Sequence, residues 1–359
     1  MRNLGKQGVA LGAPNRKVYI RTDANPAIAG GHVMRCLSLA EALTKLGADV
    51  EFVLSDDVPV SIIKERGFTA CVLDTDWRDL NEGAEALCCL CDEQESPAVL
   101  IDTYSVNAEY VDRLSSHAEV CYLGSKGGDL GHLSLVANYS TGIDEAFYEL
   151  TYGARGARLL LGPGYAPLKA CFSEAYRIRD SRISRVMVTT GSTDPFGFLP
   201  AFLAAALGDV RLDGVEFDVV VGGMAAEETA LSVGRIASES GRIEMLRAVS
   251  DMAAVMARCD AAVSANGTTV YELAAAGLPT VTFSMVEEQV ASAESLARLG
   301  AIEYGGQVGG DVSRTAAACV DRLAGLVSGP ARAAALARRA HDLIDGLGAE
   351  RIAKEIMQL

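Results

Sequence analysis

Residues 18–47, VYIRTDANPAIAGGHVMRCLSLAEALTKLG, decide the fold. Val18–Arg21 reads as a short buried strand, and Thr22–Gly31, with Asn25, Pro26, Gly30 and Gly31, as a turn-rich loop. A helix is expected from about His32. Cys36, Leu39, Ala40 and Leu43 repeat at the i, i+3, i+4, i+7 spacing of one apolar face, with Ser38, Glu41 and Lys45 on the other. Gly47 stands where a helix-ending glycine belongs. A strand, a glycine loop and a helix start in succession aim backbone N–H groups at a ligand.

His32 is the residue to single out in this stretch. The chain has only four histidines, and this one follows two glycines whose missing side chains leave room for a substrate. A helix N-terminus disfavours an imidazolium, so the ring is expected to be neutral near pH 7 and able to take a proton. Arg35 lies one turn on, on the same side. The plainer alternative is a histidine that caps its own helix or packs within the loop.

The same unit recurs on both sides. Strands are expected at Val50–Leu54, Cys71–Leu73, Val99–Asp102, Val120–Leu123 and Leu133–Ala137, with helices at Val60–Arg66, Leu80–Glu93 and Asn107–His117. This alternation implies a parallel sheet with helices on both faces, and ligands of such sheets sit at the carboxyl ends of the strands. His32, Asp102 and Tyr104 fall at that edge. Leu159–Arg185, rich in glycine and proline and then in charge, reads as an interdomain crossing.

The pattern then restarts. Strands are expected at Val186–Thr190, Phe217–Val221, Ala261–Ser264 and Thr280–Phe283, and helices at Phe198–Leu207, from the Ser250-Asp251 cap to Cys259, and from Glu287. The last segment, from Ala331, reads as helical with breaks at Gly346 and Gly348. The chain is therefore an α/β protein of two doubly wound, Rossmann-like domains expected to face a cleft. The expected division is a flexible tail over 1–16, an N-terminal domain over 17–168, a crossing over 169–184 and a C-terminal domain over 185–359.

Composition narrows the function. Half of the 359 residues are hydrophobic, and the formal net charge is −15. That charge argues against nucleic acid as a bulk partner. It leaves a small anion admissible, because screening confines surface charge to about 8 Å at physiological salt. Residues 1–16 hold no continuous apolar run and no segment is long enough to span a bilayer, so a cytoplasmic location is expected. The nine scattered cysteines read as buried free thiols. Cys88 and Cys91 have C-x-x-C spacing but no second pair at zinc-finger distance, and no metal site or cofactor is expected.

Two further loops carry chemistry. Ser264–Thr269 offers hydroxyls, amides and a helix start at Gly267, Thr268 and Thr269, which suits a diphosphate. Glu272, one turn in, is placed to accept hydrogen bonds from ribose hydroxyls; the plainer reading is a solvated helix carboxylate. Gly191–Asp194, with Thr193, is a weaker loop of the same kind.

With these residues in place, the chain resembles a known family. Arg21-Thr22-Asp23 through Gly31-His32-Val33-Met34-Arg35-Cys36-Leu37 is similar to the opening signature of the pseudaminic acid pathway hydrolase, which removes UDP from UDP-2,4-diacetamido-2,4,6-trideoxy-β-L-altropyranose. The likeness continues in Ile101–Tyr104, Leu161–Leu168, Gly191–Pro195 and Ser264–Pro279. It implies the two-domain glycosyltransferase-B fold, a nucleotide held mainly by the C-terminal domain, and His32 as general base. The chain departs from the family pattern at Ala29, Ser125, Lys126, Gly197 and Glu288, several of them expected to face the sugar. The leading expectation is a hydrolase of a UDP-linked amino or deoxy sugar, acting by water attack with inversion, with Gly30, Gly31, Arg35, Asp102, Tyr104, Glu288 and Gln289 around the substrate. The alternative is a glycosyltransferase in which His32 deprotonates an acceptor hydroxyl. A third is a nucleotide-sugar binder without catalysis.

Overall fold

The computed structural model describes residues 16–25, 28, 30–179 and 182–359. The expected tail, apart from Arg16, lies outside the described residues, as does Ala29. The chain divides into two compact units. One comprises residues up to 137 with 147–159 and 352–359; the other comprises 138–146 and 160–351.

The first unit is built on seven strands: β1 (Lys17–Thr22), β2 (Asp49–Leu54), β3 (Thr69–Val72), β4 (Ala98–Asp102), β5 (Glu119–Leu123), β6 (Leu135–Asn138) and β7 (Arg158–Leu161). Their order is β3-β2-β1-β4-β5-β6-β7, and β1 to β6 pair in parallel. Every residue of β4, AVLID, is buried, as a parallel strand covered on both faces requires. The order reverses between β1 and β4, so a crevice opens at the carboxyl ends of these two strands.

The second unit repeats the plan with β8 (Arg185–Thr189), β9 (Glu216–Val221), β10 (Ile243–Arg247), β11 (Ala261–Ala265), β12 (Thr280–Ser284) and β13 (Glu303–Gln307). The order is β10-β9-β8-β11-β12-β13, all parallel, with the reversal between β8 and β11. Its core joins sheet to helix through aromatic rings: Phe198 stacks on Phe283 at 3.6 Å, and Phe202 meets Phe217 edge-on at 6.1 Å.

Several elements of the second unit escape the sequence reading, chief among them the helices Glu227–Ser240 and Val312–Ser328 and strands β10 and β13. In the first, the helix Glu145–Thr151 was not expected, and β7 occupies the start of the stretch read as a crossing. Gly348 opens the helix Gly348–Ile356 and does not break it. A Cβ there would lie 2.3 Å from the Ala166 carbonyl oxygen, so the glycine marks close packing. Ser38, assigned to the solvent face, is buried and donates to the Met34 carbonyl at 3.4 Å.

Two buried arginines fix the frames. In the first unit Arg21 pairs with Asp23 at 2.6 Å and donates to the Ser55 hydroxyl, while the Ser55 amide donates to Asp23 at 2.7 Å. Both charged residues are 1% exposed, so the Arg21-Thr22-Asp23 signature welds the end of β1 to the end of β2. Burial pushes the Asp23 carboxyl up, and Arg21 opposes it. In the second unit Arg179 donates to the carbonyls of Met256, Cys259, Ala276 and Gly277, gathering the ends of the helices Met252–Arg258 and Thr268–Ala275.

Candidate active site

The helix Gly31–Lys45 begins at the carboxyl end of β1 with Gly30 as its cap and no side chain on its first amides. Glycine needs no left-handed backbone here; a Cβ at Gly30 or Gly31 would meet nothing within 4 Å, so the loop is open above the helix start. His32 and Arg35, one turn apart, both reach Asp102, the last residue of β4. The sheet register that places Thr22 beside Asp102 brings them together.

Asp102 has no exposed surface, and both its oxygens are engaged. His32 Nδ1 lies 2.6 Å from Oδ1; Arg35 Nε donates to Oδ2 at 2.6 Å and Nη2 donates to Oδ1. The Cys36 thiol contacts Oδ2 at 3.3 Å. Burial pushes the Asp102 carboxyl up, but the hydrogen bonds and charge of Arg35, with His32 added, hold it below the usual carboxylate range. Arg35 Nη2, which only donates, lies 2.9 Å from the same Nδ1; the shorter contact is to a carboxylate that only accepts, and the tautomer that uses it carries the proton on Nδ1 and leaves Nε2 as the basic nitrogen. Among the described residues no hydrogen bond engages Nε2.

These contacts correct one assignment. Asp102 was expected to touch substrate, but it is fully buried and meets His32 and Arg35 instead, while Arg35 keeps part of its side chain exposed. A second correction concerns access. The open glycines implied an open imidazole, yet His32 is only 6% exposed, and the Tyr104 ring stands edge-on to it at 4.4 Å. Tyr104 is itself 64% exposed, so it is a cover with solvent on its far side. Its loop is held by Lys126, whose Nζ donates to the carbonyls of Tyr104 at 3.0 Å and Val106 at 2.5 Å.

The second unit places the other residues at its own switch point. A cavity of about 360 Å³ lies at the carboxyl ends of β8, β9 and β10, walled by Gly191, Ser192, Gly222, Ala248, Met252 and Thr269 among others. The helix Thr268–Ala275 starts there with Gly267 as its cap and no side chain bonded to its amides. Thr268 is exposed and Thr269 half-buried. Glu272 is half-buried; burial pushes its carboxyl up to about 7, opposed by Lys169. Gly222 lets two loops touch, since a Cβ there would lie 2.1 Å from the Gly191 carbonyl oxygen.

Other expected residues part from this group. Ser264 is fully buried within β11 and its hydroxyl donates to the Ala265 carbonyl at 3.0 Å, so it is a strand residue and offers nothing to a ligand. The Gly191–Asp194 loop does not present a free helix start, because the Asp194 carboxylate accepts from the amides of Phe198 at 2.8 Å and Leu199 at 3.0 Å. Gly191 still walls the cavity, with φ +83°, while Thr193 is outside its lining. Glu288 is exposed in the turn Glu287–Gln289, and the Gln289 Oε1 is taken by the Met285 amide at 2.8 Å.

The sequence reading missed Asn266, which is 4% exposed and donates from Nδ2 to the Gln289 carbonyl at 2.8 Å, tying the Glu288 turn to the Thr268 helix. It also missed Ala248, whose φ of +51° bends the loop after β10 into the cavity wall. The signal for Asn266 was its place directly before Gly267; Ala248 carried none, because β10 itself went unread.

Comparison with known proteins agrees with this architecture. No protein-family profile matches the chain. It is 28% identical over 212 residues to the spore coat polysaccharide biosynthesis protein SpsG of Bacillus subtilis, an alignment that takes in 56% of this chain and 60% of that protein. The chain thus spans about three fifths of the length of this relative. Among solved structures, MurG of Acinetobacter baumannii superposes with a TM-score of 0.68 at 14% identity, covering 96% of this chain and all of that one. A UDP-GlcNAc 2-epimerase of Neisseria meningitidis, bound to UDP-GlcNAc, superposes with a TM-score of 0.66 at 11% identity over the same shares. No helix of the described residues is long and apolar enough to cross a membrane. Two parallel Rossmann-like sheets with flanking helices give this chain the two-domain B-type glycosyltransferase fold.

Proposed function

We propose that this chain acts on a nucleotide sugar and releases the nucleoside diphosphate by hydrolysis. The observation that carries the reading is the Asp102–His32 pair at the switch point of the first sheet, with Nδ1 held at 2.6 Å and Nε2 uncommitted. In the reaction a water oxygen bonds to the anomeric carbon, the bond from that carbon to the phosphate oxygen breaks on the opposite face, and His32 Nε2 takes the proton of the water. A positioned base of this kind contributes roughly 10²–10⁴-fold. Because Tyr104 covers the ring, substrate entry requires its side chain to move aside.

In the second unit the open start of the Thr268 helix suits the diphosphate, and Glu272 the ribose hydroxyls. Uracil as the base and a pseudaminic-type sugar rest on the resemblance in residues 21–37 and 264–279. The likeness to a polysaccharide-biosynthesis protein and to an epimerase bound to UDP-GlcNAc supports a nucleotide-sugar substrate class. The division of labour is a sugar side on the unit that carries His32 and a nucleotide side on the unit that carries Glu272, in a cytoplasmic enzyme.

A glycosyltransferase is the second reading, favoured by the fold itself and by Lys126 and Glu288 where the hydrolase pattern has other residues. The two separate on one experiment: UDP release from a panel of UDP-sugars without acceptor. Release that depends on His32 supports hydrolysis; release only after an acceptor is added supports transfer.

A further inference from the structure

The first sheet has a cavity at the edge opposite His32, where β4, β5 and β6 begin. It measures about 510 Å³ and its walls include Arg16, Ser96, His117, His132 and Ser134. Two of the four histidines of the chain are here. The His117 Nδ1 lies 2.6 Å from Asp92, which leaves its Nε2 available; Asp92 and Glu119 bring side-chain carboxylates to the wall, and Leu359 its main-chain carboxylate.

Arg16 carries the argument. Its Nη1 donates to the Ile356 carbonyl at 3.0 Å, but Nε and Nη2 are buried and have no hydrogen-bond partner. These two nitrogens form one edge of the guanidinium, the parallel fork that receives two oxygens of a carboxylate or phosphate. A buried cationic fork without acceptors is a rare and costly arrangement. Ser96, on the same wall, holds a left-handed φ of +50°, and strained backbone of this kind gathers at ligand clamps.

We propose that this cavity is an oxyanion site, in which the Nε–Nη2 edge of Arg16 takes two oxygens of a small phosphorylated or carboxylated metabolite and His117 and His132 line the remainder. It is separate from the His32 site: from Pro97 on the cavity wall, β4 runs to Asp102, about 16 Å away at the usual rise per residue. The proposal stands whether or not the nucleotide-sugar reading does.

The test is an NMR titration of the four histidine rings in the full chain, with inorganic phosphate in one arm and acetate in the other, at fixed pH and ionic strength. Saturable shifts of His117 and His132 are expected. Phosphate alone producing them identifies a phosphoryl group, and acetate alone a carboxylate. Arg16→Lys keeps the charge and removes the fork, and should weaken the affinity about tenfold or more while His341 keeps its wild-type signal. Phosphate bound near His32 would shift that ring equally in both proteins, which separates the two sites. No saturable shift of His117 or His132 with either anion, or equal affinities in wild type and Arg16→Lys, overturns the proposal and leaves a water-filled cavity.

Discussion

The proposed role of Glu272 at the ribose hydroxyls predicts a nucleotide affinity that depends on pH, with a sign and size that follow from its surroundings. Burial raises its carboxyl to about 7, and Lys169 opposes the rise. In the free protein the group is therefore about one-tenth ionised at pH 6, half at pH 7 and nine-tenths at pH 8. Under the proposal, ribose hydroxyls donate to the carboxylate and so select the ionised form. Affinity should rise about tenfold from pH 6 to pH 8, equivalent to roughly 1.4 kcal/mol. The free protein moves the other way. The folded state keeps a proton that the unfolded chain, near the ordinary value of 4.5, has released, so this group's contribution to stability falls as pH rises between 4.5 and about 7. Calorimetric titration with UDP-N-acetylglucosamine, whose diphosphate does not titrate in this range, measures the affinity directly. At pH 7 binding should release about half a proton, seen by comparing buffers of different ionisation enthalpy. Glu272→Gln should bind with no pH dependence. A wild-type affinity that is flat or falls from pH 6 to pH 8, or a slope that persists in Glu272→Gln, refutes the reasoning.

Asp102→Asn leaves Arg35 and His32 facing an amide; stability should fall by about 3–5 kcal/mol in denaturant titration, and UDP release by roughly 10²-fold or more. Tyr104→Ala and Lys126→Met should each raise the rate at which diethylpyrocarbonate modifies His32, by removing the covering ring or freeing the loop that carries it; unchanged rates in both would show that Tyr104 does not guard the imidazole. Gly222→Ala forces apart the loops after β8 and β9, because its Cβ would lie 2.1 Å from Gly191 and 2.4 Å from Ser192 carbonyl oxygens, whereas Gly223→Ala meets nothing within 4 Å. Calorimetry should show weakened nucleotide binding in the first variant and wild-type binding in the second.

Much of this fold was legible because parallel strands buried on both faces are written as apolar runs. VYI at 18–20, VLI at 99–101 and VMV at 186–188 each announce a central strand. What escaped lies toward the edges. IEML in β10 and EYGGQ in β13 are half-exposed and carry polar or glycine residues, so no continuous apolar signal marks them. The helix Val312–Ser328 has an amphipathic pattern but follows Gly309 and Gly310, which were not read as its approach. The site was legible in part. His32 and the Gly267 helix start stand beside their glycines in the chain. The partnership of His32 with Asp102 joins residues seventy positions apart and is fixed by strand register, which local sequence does not contain. Ser264 misled because a serine ending a strand and one opening a loop read alike; only burial tells them apart.

The most direct test of the account is UDP release from UDP-sugars, without acceptor, by wild type and His32→Ala, each checked for wild-type UDP affinity. The account predicts release by wild type, a loss of roughly 10²-fold or more in His32→Ala, and unchanged UDP binding. Equal release by the two proteins would contradict it, and would leave the Asp102–His32 pair as a piece of the scaffold.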